Sequence, residues 1–311
     1  MSSSNFFKTS SCSNPPLFFL LLLLPAVFAL IYLLPRPYDS WLTSCRRPPL
    51  PAESRANNTA ANGGGPAPDF SLLMGISTVP GKYARRHIIR HAYALQPGPA
   101  AARIDIRFVL CALSKEEDQI LVALEILRYD DIIILNCTEN MNNGKTYTYF
   151  SSLPHLFNDT PYDYVMKADD DAYFRLDKLA DALRNKSKED MYFGLGLPPE
   201  APRERPPFMA GMGYVLSWDL VQWISTSEVI RNDQNGAEDI FVGKWLNTAN
   251  RGVNRYNTYP DMFNYRGRQP EDFTPGTIAV HLLKDNERWA RTLKHFNITH
   301  GLKHSNLYHI P

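Results

Sequence analysis

The stretch Tyr162–Tyr173 reads YDYVMKADDDAY and joins an apolar segment to three consecutive carboxylates. The apolar character of residues 162–167 predicts a buried strand, which runs directly into Asp169, Asp170 and Asp171. Three adjacent carboxylates repel one another, and desolvation would raise their pKa values. A divalent ion such as Mg²⁺ or Mn²⁺ would relieve that repulsion and keep positions open for phosphate oxygens. For the triplet taken alone, a solvated acidic turn is the alternative.

Segments on either side of this strand alternate between extended and helical patterns. Helices are predicted at residues 82–95, 115–129, 147–157, 176–185 and 218–230, and strands at residues 70–78, 106–113, 132–137, 162–167, 191–197 and 208–217. The alternation predicts an α/β, Rossmann-like domain, a mostly parallel sheet with helices on both faces and ligands at the carboxyl ends of its strands. No G-x-G-x-x-G follows the first strand and there is no P-loop, which disfavours dinucleotide enzymes and P-loop NTPases.

The composition narrows the class of protein further. The 311 residues carry 33 Lys and Arg against 32 Asp and Glu, and this balance argues against a nucleic-acid partner. Hydrophobic residues make up 44%, enough for a real core, and the four cysteines exclude a disulfide scaffold. Cys111 and Cys137 stand near the ends of predicted strands, and the sequence leaves open whether they pair.

The N-terminal region has the pattern of a membrane anchor. Residues 17–34 are uncharged and, as a helix, would span roughly 27 Å. A signal peptide cut near Ala29 is the alternative, but the apolar run continues to Leu34 and favours an uncleaved anchor. We therefore expect a cytosolic tail (1–16), one transmembrane helix (17–34), a Pro- and Gly-rich flexible stem (35–69) and a lumenal domain (70–311).

The orientation rests on glycosylation sequons. More positive charges follow the span (Arg36, Arg46 and Arg47) than precede it (Lys8), and by the positive-inside rule this would place the C-terminal part in the cytosol. However, N-x-S/T sequons occur after the span, at Asn57, Asn136, Asn158, Asn185 and Asn297. Their number favours a lumenal domain.

Two further places carry chemistry. Glu238 and Asp239 lie in GAEDIFVGKW at the predicted start of a helix, where the helix dipole alone would favour carboxylates. His281 lies in TIAVHLLKD, inside an apolar strand, where a hydrogen-bonded core histidine is the alternative.

Six segments in a fixed order carry a family resemblance: residues 85–93 (RRHIIRHAY), 125–132 (EILRYDDI), Lys145-Thr146, residues 169–173 (DDDAY), 207–217 (PFMAGMGYVLS) and 238–243 (EDIFVG). Together they resemble the β-1,3-glycosyltransferases of glycosyltransferase family 31. That family includes β-1,3-galactosyltransferases and β-1,3-N-acetylglucosaminyltransferases. The resemblance implies a GT-A-like fold, a single-pass type II protein of the Golgi membrane, a UDP-sugar donor and Mn²⁺.

The resemblance also assigns roles by position. Asp171 and His281 would ligate the metal, and Asp239 would be the catalytic base. The donor site would contain Arg86, Arg90, Lys145, Asp169, Asp170, Gly211, Gly213 and Glu238, with the two glycines letting the backbone approach the sugars.

The activity implied is an inverting, metal-dependent transfer of a hexose to a glycan or glycoprotein acceptor in β-1,3 linkage. UDP-galactose is the first choice of donor, and N-acetylglucosamine transfer is the alternative. A catalytically inactive glycan-binding scaffold of the same fold is an alternative of another class, and a metal-dependent phosphohydrolase is a third.

Overall fold

The computed structural model describes residues 67–159, 161–265 and 273–300. The strands of this part are β1 (Phe70–Ser77), β2 (Ala102–Leu110), β3 (Ile132–Ile134), β4 (Tyr164–Asp169), β5 (Tyr173–Phe174), β6 (Met191–Leu197), β7 (Phe208–Ser217), β8 (Asn254–Asn257), β9 (Met262–Asn264) and β10 (Ala279–His281). Seven form one sheet in the order β3-β2-β1-β4-β7-β6-β8, and β5, β10 and β9 form a second. Within the large sheet only β7 runs antiparallel to its neighbours, which confirms the mostly parallel sheet.

Helices cover both faces of the large sheet, as predicted. They are α1 (Tyr83–Ala94), α2 (Glu116–Tyr129), α3 (Lys145–Leu156), α4 (Leu176–Leu183), α5 (Trp218–Thr226), α6 (Glu228–Arg231), α7 (Glu238–Thr248) and α8 (Asn286–His295). Successive residues of β1 point to opposite faces, so Leu72 joins the core beside Ile89 of α1 and Leu73 joins the core beside Phe150 of α3.

Several element boundaries differ from the prediction. The second strand begins at Ala102, four residues before the predicted start, because it pairs with β1 from Phe70 onward. The third strand ends at Ile134, three residues before the predicted end. The helix predicted at residues 218–230 is broken at Ser227, whose backbone is extended between α5 and α6.

The predictions for the N-terminal region fall outside the described residues. These are the tail, the transmembrane helix at 17–34 and almost all of the stem. Among the helices of the described part, none has the length and apolar character needed to cross a bilayer. Four of the five sequon asparagines lie in the described part, and all four are exposed: Asn136, Asn158, Asn185 and Asn297.

Candidate active site

The acidic triplet lies at the carboxyl end of β4, where the two sheets meet. Asp169 ends β4, and Tyr173 of β5 pairs with Val280 of β10, which brings His281 beside the triplet. The Nε2 atom of His281 lies 3.2 Å from Oδ1 of Asp171 and 3.5 Å from Oδ2 of Asp169. Residues more than 100 positions apart in the sequence therefore converge, as the strand prediction requires.

These three side chains have the donor set of a divalent-cation site. Their nearest ligand atoms all lie within 4.8 Å of one another. Nδ1 of His281 lies 2.7 Å from the side-chain oxygen of Asn264, which only accepts hydrogen bonds, so Nδ1 carries a proton and Nε2 is the nitrogen that faces the two carboxylates. Nε2 is buried without a hydrogen-bond partner. One imidazole nitrogen and two carboxylates facing one point fit a hard divalent ion.

The electrostatics of the site keep its carboxylates ionised. Burial alone would raise the pKa of Asp169, but Lys167 and His281 outweigh it and lower that pKa. Burial likewise opposes ionisation of Asp171, whose pKa is lowered by His281 and by the ammonium of Lys284. Lys284 forms an ion pair with Asp171, and its side chain is 63% exposed. The ligand carboxylates are therefore charged before any metal arrives.

Asp170 faces away from this trio, towards the loop between β1 and α1. Its Oδ2 accepts a hydrogen bond of 2.7 Å from the hydroxyl of Thr78. Lys82 donates to both of its oxygens at 2.9 Å. Adjacent residues of the triplet therefore serve different neighbours, and the loop that carries Thr78 and Lys82 is fixed to the site.

Lys167 is the buried lysine that joins the two acidic segments. Its ammonium lies 2.8 Å from Oδ1 of Asp169, 2.5 Å from Oε1 of Glu238 and 2.7 Å from the carbonyl oxygen of Gly211. Burial lowers the pKa of Lys167, but the two carboxylates reverse this and raise it. Burial also raises the pKa of Glu238, and Lys167 offsets only part of that effect. Tyr214 donates a 2.8 Å hydrogen bond to the second oxygen of Glu238.

Asp239 occupies the first turn of α7, where the backbone holds its carboxylate. Oδ2 accepts a 3.1 Å hydrogen bond from the N–H of Gly211, and Oδ1 accepts one of 2.9 Å from Ile240. A Cβ atom on Gly211 would lie 2.7 Å from Oε1 of Glu238, so glycine is needed for this close approach. The side chain is half-buried, and in the described part of the chain its two oxygens accept hydrogen bonds from backbone N–H groups.

The structure places the remaining predicted donor-site residues behind or beside this centre. Arg86 is fully buried and donates to Glu125 and to the carbonyl oxygens of Val79 and Pro80. It therefore supports the loop that ends at Lys82 and does not reach the triplet in these contacts. Its role at a nucleotide, and those of the residues below, stay predictions.

Arg90, Lys145 and Gly213 also have partners within the protein. Arg90 binds Glu125 and Asp131. Lys145 is buried, and its ammonium lies 2.6 Å from the carbonyl oxygen of Thr78 and 2.6 Å from Oε2 of Glu139. It is thus connected to Asp170 through Thr78, whose hydroxyl donates to Asp170. A Cβ on Gly213 would meet Phe174 at 2.5 Å, so packing requires this glycine.

Four functional neighbours were missed from the sequence: Lys82, Lys167, Asn264 and Lys284. Only Lys167 left a signal, because a lysine within the apolar run YVMKAD must find buried partners. Asn264 and Lys284 come from the β9–β10 region, where the sequence reading identified His281 alone.

Cys111 and Cys137 form a disulfide, which settles the pairing that the sequence left open. The bond ties the end of β2 to the segment after β3. Beside it, the N–H of Cys111 donates to Glu139, whose other oxygen accepts from Lys145. The disulfide therefore anchors the partner of a predicted donor-site lysine.

Comparison with known proteins supports the resemblance. Residues 84–205 match the family model "Galactosyltransferase". The β-1,3-galactosyltransferase pvg3 of Schizosaccharomyces pombe is 23% identical over 277 residues, covering 69% of this chain and 71% of its own. Mouse (Mus musculus) β-1,3-galactosyltransferase 6 is 28% identical over 197 residues, covering 56% of this chain and 59% of its own.

Other relatives are longer than this chain. A UDP-GalNAc:β-1,3-N-acetylgalactosaminyltransferase 2 of Xenopus tropicalis is 25% identical over 169 residues, and the matched region is 49% of this chain but only 33% of the relative. Among solved structures, galactosyltransferase LgtC, in complex with donor and acceptor sugar analogs, covers 75% of this chain and 97% of its own at 13% identity. The TM-score of this match is 0.42.

These matches confirm the resemblance to the β-1,3-galactosyl- and N-acetylglucosaminyltransferases that the six motifs predict. They support a hexosyltransferase, related to enzymes that use nucleotide-sugar donors and glycan acceptors.

Proposed function

We propose that this protein is an inverting, Mn²⁺-dependent glycosyltransferase that moves galactose from UDP-galactose to a glycan or glycoprotein acceptor in β-1,3 linkage. The observation that carries the proposal is the convergence of a three-ligand cation site with a separate, backbone-held carboxylate, Asp239. One group would position the donor diphosphate, and the other would activate the acceptor.

Asp169, Asp171 and His281 would hold the divalent ion. When bound, the ion supplies positive charge for the diphosphate leaving group. Asn264 would hold the ring of His281 so that Nε2 faces the ligand position. Lys284, paired with Asp171 and largely exposed, would be free to pair with a phosphate oxygen of the donor if a cation were bound by Asp171. The ammonium then offsets negative charge on the same side of the donor.

Asp239 is the proposed general base. In a single displacement the acceptor oxygen forms a bond to the anomeric carbon while the bond from that carbon to the phosphate oxygen breaks. The hydroxyl proton passes to Asp239, and the leaving electron pair stays on UDP. Attack from the opposite face converts an α-linked donor sugar into a β-linked product. Gly211 holds the base and, through Lys167, is linked to the ligand carboxylate of Asp169.

The expected location is the Golgi membrane, in the single-pass type II orientation. Four exposed sequons and the disulfide support an oxidising, lumenal environment for the described domain. The anchor itself is proposed from residues 17–34.

The test measures UDP release and product formation by the full chain in detergent, with a panel of UDP-sugars and β-glycoside acceptors, with Mn²⁺ or with chelator. We expect turnover that needs both metal and acceptor, and the panel identifies the donor. The variant D239N should lower turnover at least ~100-fold while keeping UDP–Mn²⁺ affinity. The control D177N, on α4, should not change either.

Three results would contradict the proposal or part of it. Turnover of D239N equal to that of the wild type would remove the base assignment. A folded wild type that binds UDP and Mn²⁺ but converts none of the donors would favour the glycan-binding scaffold. Donor transfer from UDP-N-acetylglucosamine alone would replace the galactose assignment and keep the mechanism.

A further inference from the structure

Helix α2 leaves an apolar face in solvent. Four apolar residues recur along it at helical spacing and are exposed: Ile120 (56%), Leu121 (57%), Leu124 (59%) and Leu127 (71%). Single exposed leucines are common on protein surfaces, but four on one face of a 14-residue helix form a contiguous patch. Such a patch on a folded domain marks a contact surface.

The orientation of α2 is fixed by ion pairs, so the helix cannot turn this face inward. Its inner face carries Val122 and Glu125, which are buried. Glu125 accepts hydrogen bonds from Arg86 and Arg90 of α1, at distances down to 2.5 Å. Rotating the helix to bury the leucines would remove Glu125 from two guanidinium groups, which is costly for a buried charge. The apolar face therefore needs a partner outside the described fold.

The pattern of residues along this face is self-complementary. Glu117, Leu121, Leu124 and Arg128 are spaced by four, three and four positions, so they lie in one line along the helix. Both charged residues are exposed. If a second α2 packs antiparallel across a two-fold axis, Leu121 of each copy meets Leu124 of the other. The same axis places Glu117 of each copy beside Arg128 of the other.

The charged residues also favour antiparallel over parallel packing of the two α2 helices. A parallel pair would set Glu117 against Glu117 of the second copy and Arg128 against Arg128. The antiparallel pair also sets the two helix dipoles in opposite directions, so the positive end of each helix lies beside the negative end of the other.

We propose that α2 is an antiparallel contact between two copies of this chain, centred on Leu121 and Leu124 and oriented by Glu117 and Arg128. Ile120 and Leu127 extend the apolar contact on one side of that line. One helix face makes a small interface, so the contact is a weak dimer in solution that a shared membrane would favour.

The test measures the oligomeric state of the full chain in detergent by sedimentation velocity over a range of concentrations. The wild type should show a monomer–dimer equilibrium, and L124E should be monomeric. The control L156E alters a leucine of α3 that is 54% exposed, and it should dimerise like the wild type. Because all altered residues are exposed, the variants should fold, which circular dichroism checks.

A charge exchange distinguishes this contact from other associations. E117R and R128E should each raise the dimer dissociation constant about tenfold, since a two-fold dimer contains each contact twice. The double variant E117R/R128E restores the self-complementary pattern and should return to within about twofold of the wild type. A wild type that is monomeric throughout, or a double variant weaker than both single ones, would overturn the proposal.

Discussion

Replacing Lys167 with methionine should destabilise the protein strongly. Methionine has a similar length, so the substitution removes the charge while leaving the packing almost filled. It leaves two carboxylates (Asp169 and Glu238) without their shared cation, and Glu238 is almost fully buried. Breaking a buried ion pair by removing one partner costs about 3–5 kcal/mol. With an m-value of about 2–3 kcal/mol/M, the urea midpoint should fall by about 1–2.5 M.

The assay is urea unfolding of the full chain, followed by far-ultraviolet circular dichroism. The matched control is K82M, because Lys82 is half exposed and Asp170 keeps its hydrogen bond from Thr78. That exposed ion pair should contribute at most about 1 kcal/mol. The double variant K167M/E238Q should recover part of the loss, since it removes one uncompensated charge. Equal midpoints for K167M and K82M would refute the view that Lys167 is the cation that holds the two acidic segments together.

Three further perturbations test the rest of the site. K284A should bind Mn²⁺ alone more tightly in calorimetry but UDP–Mn²⁺ less tightly, because it loses both a competitor for Asp171 and a phosphate partner; unchanged affinities would contradict this. E125Q should lower the unfolding free energy by about 3 kcal/mol at neutral pH. Although burial opposes it, Arg86 and Arg90 lower the pKa of Glu125. The ionised Glu125 therefore stabilises the fold above about pH 4.3, its pKa in the unfolded chain, and this stabilisation is lost as the pH falls through its lower pKa in the folded protein. The unfolding free energy of E125Q should therefore depend less on pH in that acidic range. C111S should lose about 3–4 kcal/mol, and a reductant should lower the melting temperature of the wild type but not of the variant.

Part of the candidate cation site was predictable because its signal is local. An apolar strand ending in carboxylates indicates a site at a sheet edge, and the family resemblance assigned roles to His281 and Asp239. Lys284 and Asn264 could not be identified, since nothing in the sequence shows that β10 pairs with both β5 and β9. Their contribution depends on a register that only the folded chain fixes.

The arginines show a different limit of motif-based prediction. Arg86 and Arg90 were predicted near the nucleotide from a motif that also contains the start of α1. In the structure their guanidinium groups meet Glu125, which lies about 40 positions later in α2. A motif records which residues a fold needs, and that need can be structural. The spacing of apolar residues in α2 predicted a helix but not its buried face, because the ion pairs of Glu125 with Arg86 and Arg90 turn that side of the helix inward.

Lys167 and Gly211 connect the two halves of the site. The carbonyl oxygen of Gly211 accepts from Lys167, and its N–H donates to Asp239. Lys167 in turn binds Asp169, one of the three candidate ligands. Through a single peptide segment of β7, the position of the proposed base is therefore tied to the position of the proposed ion. Because an in-line displacement needs donor and base on opposite sides of one carbon, this connection fixes the distance on which transfer depends.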